Sequence, residues 1–425
     1  MQRRQFIQMV GAGAAASALV GCASAPINAK GGKVVVVGGG YGGATAAKYV
    51  RKFSNYTADV TLIEPSQNFI SCPMSNLVIG GSRKIEDLTI SYDGLKKNHG
   101  INLVKDSVVS VDVAKRQVKL AGGATLAYDR LIVSPGVDLN YESLPGMKSQ
   151  AAQDSVLHAW KAGAQTVALR QQLESMKDGG VFAITIPLAP YRCPPGPYER
   201  ACQAADYLKQ NKPKSKILIL DANDDVTSKP GLFKAAWSTR YTGMIDYRPK
   251  HSLTDVDVKN KTLKFEFNDD IKADVLNVLP PMRAGTIALK TGLANMNARW
   301  CEVDFLTFES KVAPNVHVLG DAIQIAPGMP KSGHMANQHG KTCAAAIVAI
   351  LSGNDVSQMP LYNNTCYSFV NSTDVVHVAS VHTYDAGKRT MVTVPGSGGV
   401  SAAANPLEGV YAHAWARNIW ADMLI

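Results

Sequence analysis

The run Lys33-Val34-Val35-Val36-Val37-Gly38-Gly39-Gly40-Tyr41-Gly42-Gly43, continued by Ala44-Thr45-Ala46-Ala47-Lys48-Tyr49-Val50, constrains this chain more than any other stretch. Consecutive valines predict a strand buried on both faces, as in a parallel sheet. Gly38, Gly40 and Gly43 then fill the G-x-G-x-x-G spacing, and the small residues beyond them predict a helix packed close to that strand. Such a turn lets N–H groups at a helix N-terminus approach a pyrophosphate with no side chain in the way. A second strand, Val60-Thr61-Leu62-Ile63, ends at Glu64, the place from which a carboxylate reaches a ribose hydroxyl. Turn and acid together predict a dinucleotide site rather than a plain glycine turn.

The 425 residues are 46% hydrophobic and 18% charged, which suits two or three cored domains and excludes a disordered or fibrous chain. The net charge of +10 comes from scattered lysines. With no basic run interleaved with aromatics, nucleic-acid binding has no support, and a solvated surface is favoured over an acid-binding patch. Residues 1–30 stand apart. Arg3-Arg4-Gln5-Phe6-Ile7 precedes a weakly apolar Ala/Gly run to Val20, which resembles a twin-arginine export signal and predicts the bacterial periplasm. The run is too short and too rich in small residues to span a membrane. Cleavage after Ala23-Ser24-Ala25 and lipidation of Cys22 in Leu19-Val20-Gly21-Cys22 both fit, and a membrane enters only through the second.

Past Glu64 a polar loop carries Cys72 beside Pro73 near the cofactor crevice. Short alternating strands at 101–104, 107–111 and 117–120 lead to Tyr128–Val133 and the turn Ser134-Pro135-Gly136. A helix from His158 to Met176 opens a second α/β unit, with strand Val181–Ile186, helix Glu199 to Lys209 and strand Lys216–Asp221. Where a nicotinamide-using reductase carries a second glycine turn, this unit reads Pro187-Leu188-Ala189-Pro190-Tyr191-Arg192-Cys193-Pro194-Pro195-Gly196-Pro197-Tyr198-Glu199. Prolines lack the N–H groups that cradle phosphate, so no NAD(P) is expected there. From Ala273 the chain is expected to return to the first domain. Strand Asn315–Leu319 ends in Gly320-Asp321, whose carboxylate would reach a ribityl hydroxyl, and a helix runs from Gly333 to about Leu351 with its positive end toward a flavin. Paired with Gly38 to Glu64, this second acid predicts FAD. The fold class is therefore α/β: two Rossmann-like three-layer dinucleotide-binding-type domains plus a small α+β C-terminal cap. The divisions are 1–30 (export signal), 31–150 and 273–360 (FAD-binding domain), 151–272 (second unit) and 361–425 (cap). No C-x-x-C, C-x-x-C-H or H-x-x-x-H occurs, so neither metal nor c-type haem is expected on this chain.

Several stretches together resemble the flavoprotein subunits of flavocytochrome c sulfide dehydrogenases, along essentially the whole mature length. They are the Gly38–Gly43 turn, Ser75–Gly81 after Cys72, Arg192–Arg200, Trp300–Asp304, Gly320-Asp321, Pro330–Gly333 and Asn364–Ser368. The resemblance implies FAD joined through a thioether at Cys72, a redox disulfide between Cys193 and Cys366, Glu199 as proton acceptor and Trp415 as an aromatic near the flavin. It also implies hydrosulfide as substrate and a separate c-type cytochrome subunit as partner. Around Cys72 the chain reads Ser71-Cys72-Pro73-Met74, where the family pattern has Thr-Cys followed by an aromatic. In an exported protein a structural staple is the ordinary reading of two cysteines, and the residues alone leave staple and redox use even. The resemblance favours redox use, with Arg192 and Arg200 drawing hydrosulfide in and favouring thiolate. Cys202, Cys301 and Cys343 read as structural. Two alternatives stand beside this: a sulfide:quinone oxidoreductase, and a non-catalytic flavin-binding accessory of a sulfur-oxidising complex.

Overall fold

A computed structural model describes residues 31–425; the twin-arginine signal and Cys22 lie outside the described residues. Strand Lys33–Val37 sits at the middle of a five-stranded parallel sheet, between Arg130–Val133 and Asp59–Ile63, with Val316–Val318 and Asn102–Val104 at the edges. Its valines are buried on both faces, as their unbroken run predicts. Helix Tyr41–Phe53 leaves this strand through the glycine turn and lies beside helix Gly333–Leu351.

The second sheet is parallel as well, in the order Ile245–Arg248, Lys216–Asp221, Val181–Ile186, Val275–Val278. Alternation along it divides two cores. Phe182, Ile184 and Ile186 join the large core shared with the first sheet and the cap, whereas Ala183, Leu218 and Leu220 join a separate cluster with Val256, Leu263 and Phe265. The chain crosses between the two units through Val137–Leu139 and Met282–Ala284, which pair antiparallel. The cap is an antiparallel sheet of Leu361–Phe369, Val375–Asp385 and Thr390–Thr393, closed by helix Pro406–Leu424.

Three expectations shift. The return from the second unit does not occur at residue 273: Val275–Val278 pairs with Val181–Ile186, so the crossing follows Val278. The helix expected from His158 begins only at Ala164, because Gly163 takes a φ of +146° that a helix cannot continue. Trp160 and Ala159 are buried against other parts of the fold, which gave residues 158–163 their helix-like apolar pattern. Helix Gly196–Asn211 starts three residues before the expected Glu199.

Candidate active site

One cavity of about 620 Å³ runs from the Gly38–Gly42 turn past Glu64 and Cys72 to Cys193, Glu199, Asp321, Cys366 and Trp415. Its first half is backbone. Gly38 holds φ at +95°, and a methyl group at Gly43 would stand 1.9 Å from the Gly38 carbonyl oxygen. At Gly40 the same construction meets no atom within 4 Å, so the turn faces open space. No side chain caps helix Tyr41–Phe53 and no acid lies in its first turn, which leaves its N–H groups available to an anion. Glu64 accepts the Gly39 N–H at 2.8 Å through Oε2 and the Ser66 N–H at 2.8 Å through Oε1, which fixes its carboxylate at the rim. These features fit a dinucleotide.

At the other end, Asp321 lines the cavity from the short 3-10 turn Gly320–Ala322. Burial raises its carboxyl above the usual range, opposed by the charges of Arg192 and Lys331. Ser332 Oγ caps helix Gly333–Leu351 by accepting the Met335 N–H at 3.0 Å, so the positive end of a long helix opens onto the cavity. Trp415 stands edge-on to His334, with ring centres 5.7 Å apart, and its Nε1 is buried with no partner. Cys72 Sγ is 3.5 Å from both Arg192 Nη1 and the Ala162 N–H. Arg192 also donates to the Trp160 carbonyl, and its Nε is a buried donor without an acceptor.

The loop that replaced a second glycine turn delivers Cys193. Held at φ +58°, Cys193 donates its N–H to the Lys331 carbonyl at 2.8 Å. Cys366 arrives from the cap on strand Leu361–Phe369 and lines the same cavity. Burial pushes the Cys193 thiol up to about 12, with further increments from Cys366 and Glu199. Glu199, 8% exposed, accepts the Phe369 N–H at 2.9 Å and Asn76 Nδ2 at 2.8 Å. Burial lifts its carboxyl above the usual range despite those donors and the charges of Lys229 and Arg200. A raised carboxyl beside two thiols is suited to exchanging a proton with them.

The structure thus gathers Gly38, Gly40, Glu64, Cys72, Cys193, Glu199, Gly320, Asp321, Cys366 and Trp415 around one space, while Gly43 supports the turn from behind. Arg200 differs from expectation. It is 1% exposed and donates to Asn76, Asn277 and the carbonyls of His158 and Ala159, so it builds the wall rather than receiving an anion. Cys202, Cys301 and Cys343 are buried in the core. Sequence reasoning overlooked Asn76, Trp160 and Lys229. For Lys229 a signal existed: it occupies the N-cap of helix Pro230–Arg240, where Ser, Thr, Asp or Asn is the rule, so something other than capping decides the residue. Among the described residues no group of His, Cys, Asp and Glu is placed to hold a metal, and no helix is long and apolar enough to cross a membrane.

Comparisons with known proteins follow the same division. Residues 32–177 match the pyridine nucleotide-disulphide oxidoreductase model. Residues 166–280 match the central domain of the sulfide dehydrogenase [flavocytochrome c] flavoprotein chain, and residues 358–424 the flavocytochrome c sulphide dehydrogenase flavin-binding model. The mitochondrial sulfide:quinone oxidoreductase of Dictyostelium discoideum is 28% identical over 306 residues, covering 68% of this chain and 65% of that protein. Its mouse counterpart is 24% identical and covered to 66%, so the chain spans just under two thirds of these relatives. A 46-residue stretch is 56% identical to the sulfide dehydrogenase [flavocytochrome c] flavoprotein chain of Chlorobaculum thiosulfatiphilum, 11% of this chain and 94% of that sequence. The sulfide:quinone oxidoreductase structure from Aquifex aeolicus superposes with a TM-score of 0.73 over 92% of this chain and 91% of that one, at 18% identity, a likeness of fold. The flavin-binding match and the glycine cradle make FAD the group this cavity takes. With the central and flavin-binding models matched in order, the chain belongs to the flavoprotein chains of flavocytochrome c sulfide dehydrogenase.

Proposed function

We propose that this protein oxidises hydrosulfide through a Cys193–Cys366 disulfide and FAD and passes the electrons to a c-type cytochrome subunit. The observation that carries the reading is the meeting of Cys193, Cys366 and Glu199, drawn from the second unit and the cap, in the cavity that begins at the Gly40 turn. Hydrosulfide attacks one sulfur of the disulfide by thiol–disulfide exchange. An S–S bond forms to the incoming sulfur, the Cys193–Cys366 bond breaks, and the displaced cysteine leaves as thiolate carrying the electron pair. Glu199 takes the proton of the incoming sulfur, and its raised carboxyl returns it when the products separate. Arg192, with an unpaired buried Nε, draws the anion into the cavity. Glu64, Asp321 and the N–H groups of helix Tyr41–Phe53 would hold the FAD, and the presence of Cys72 in the same cavity supports a thioether attachment there. When bound, FAD accepts electrons in pairs and releases them singly, which suits a haem acceptor. The Arg3-Arg4 leader supports a periplasmic setting, with Cys22 either removed or lipidated.

A quinone acceptor is the second reading, favoured by the likeness of 68% of the chain to a mitochondrial sulfide:quinone oxidoreductase. Anaerobic sulfide added to the oxidised holoprotein in a stopped-flow cell separates the two. Flavin bleaching followed by rapid reduction of cytochrome c supports the first reading, and re-oxidation by a soluble quinone alone supports the second. Absence of bleaching sinks both.

A further inference from the structure

Cys366 and Cys193 line one cavity but meet different donors. Ser332, the cap of helix Gly333–Leu351, donates its Oγ–H to Asn364 Oδ1 at 2.6 Å. Oδ1 is engaged by Ser332 and stands 3.8 Å from Cys366 Sγ, where it accepts from the protonated thiol, while the Asn364 amide nitrogen is nearer, at 3.4 Å, and is the atom that donates to a thiolate. Asn364 and Cys366 alternate along one strand and share a face, and Asn364 is 3% exposed, so its amide has no water to turn to. From the other side comes Lys229, 5% exposed, whose Nζ donates to the Cys366 carbonyl at 3.0 Å and to Ser368 Oγ at 2.8 Å.

Among the described residues Cys193 Sγ makes no hydrogen bond, although it lies at the start of helix Gly196–Asn211, where a methyl group at Gly196 would stand 2.9 Å from it. The charged groups facing the pair are Lys229, Glu199 and, for Cys193, Arg192. Burial raises the Cys366 thiol, and Lys229, Asn364 and Ser332 pull it back down against Glu199. Glu408 bears on Lys229 from the cap helix, and His334, whose Nδ1 accepts the Thr365 N–H at 3.0 Å, is held neutral by burial at about 4.

We propose that Lys229 and the Ser332–Asn364 pair are positioning residues that make Cys366 the charge-bearing member of the reduced pair. Two-electron reduction of the disulfide by an added dithiol, itself oxidised to its cyclic disulfide, then leaves one net proton on the pair, with Cys366 as thiolate and Cys193 as thiol. The inference rests on the redox reading of this pair. Each cysteine lies near the start of a long helix, and what Cys366 has and Cys193 lacks is the Asn364 amide fixed by Ser332, with the Lys229 charge held at the Cys366 carbonyl.

The test is alkylation by iodoacetamide of the dithiothreitol-reduced holoprotein between pH 6 and 10, with each cysteine followed by peptide mass spectrometry. The midpoint pH reports ionisation independently of access. Cys366 is expected to show the lower midpoint and to react at least about tenfold faster at pH 7.5 than in Lys229→Met, with Lys229→Arg restoring most of the difference. Asn364→Ala, should Lys229→Met fail to fold, raises the Cys366 midpoint while leaving that of Cys193 in place. A lower midpoint at Cys193, or a Cys366 midpoint unmoved in a folded variant, overturns the proposal. The intact mass before reduction tests the disulfide separately: if no bond is present the redox reading fails, and the order of alkylation still decides the charge assignment.

Discussion

The two α/β units run the same course of strand, turn, helix and acid-ended strand, and treat their turns in opposite ways. In the first, Gly40 faces open space and Glu64 stands at the cavity rim. In the second, a methyl group at Gly196 would meet Trp160 at 2.7 Å and Cys193 Sγ at 2.9 Å, so the helix start is packed. The matching acid, Asp221, is fully buried and accepts from Tyr198 Oη at 2.7 Å, Tyr247 Oη at 3.1 Å, the Asn223 N–H and Asn223 Nδ2. One unit leaves its helix donors open and holds its acid at the cavity rim through the Gly39 and Ser66 N–H groups. The other satisfies them internally and uses the freed loop to present a cysteine. A repeated fold therefore fixes where a turn lies, and the side chains at that turn decide whether it binds or reacts.

The largest test of this division is Cys193→Ser or Cys366→Ser. Each should slow flavin bleaching by sulfide about 10³-fold or more with FAD content unchanged, measured by stopped-flow absorbance. Unchanged turnover would show the second loop to be a staple. Next, Glu199→Gln should lower kcat/KM by about 10²-fold. The sign of its pH dependence follows from the raised carboxyl. As pH falls, Glu199, raised by burial, takes up its proton above the range of an ordinary glutamate and the acceptor is lost, so wild type shows an acid limb above that range and the variant none.

Gly43→Ala probes the other turn. Its methyl group would stand 1.9 Å from the Gly38 carbonyl, and an overpacking cost of about 1–3 kcal/mol should weaken FAD retention about 10- to 100-fold, read from the flavin-to-protein absorbance ratio. Tyr198→Phe sharpens the contrast. Removing a donor to buried Asp221 should cost about 1–3 kcal/mol of stability in thermal unfolding without lowering FAD content. The smallest expected effect is none: NADPH should leave the oxidised flavin unreduced, and any bleaching by it would break the comparison.

Much of this was legible in the chain. The valine run, the glycine spacing and the acids Glu64 and Asp321 are local patterns whose physical demands lie within a few residues, and they predicted the parallel sheet and the dinucleotide site. The prolines of residues 187–197 likewise announced, by missing N–H groups, that the second turn had changed its use. The strand boundary after Val278 and the non-helical Trp160 loop were not legible, because burial by distant elements looks the same in sequence whichever element provides it.

What the sequence determined by itself is the set of local devices: a glycine turn, two acids ending strands, a proline-stiffened cysteine and a helix opening at Gly333. What only the tertiary structure decided is their partnership. Cys366 lines the same cavity as Cys193 because the cap sheet folds over the second unit, and Lys229 and, through Asn364, Ser332 bear on Cys366 from elements far away in the chain. Arg200 lost its expected role for the same reason, its donors being taken by Asn76 and Asn277 from two other elements. Hydrogen bonds and burial between remote segments depend on chain topology, which no short pattern encodes, so the neighbours Asn76, Trp160 and Lys229 and the electrostatic bias they set came only from the fold.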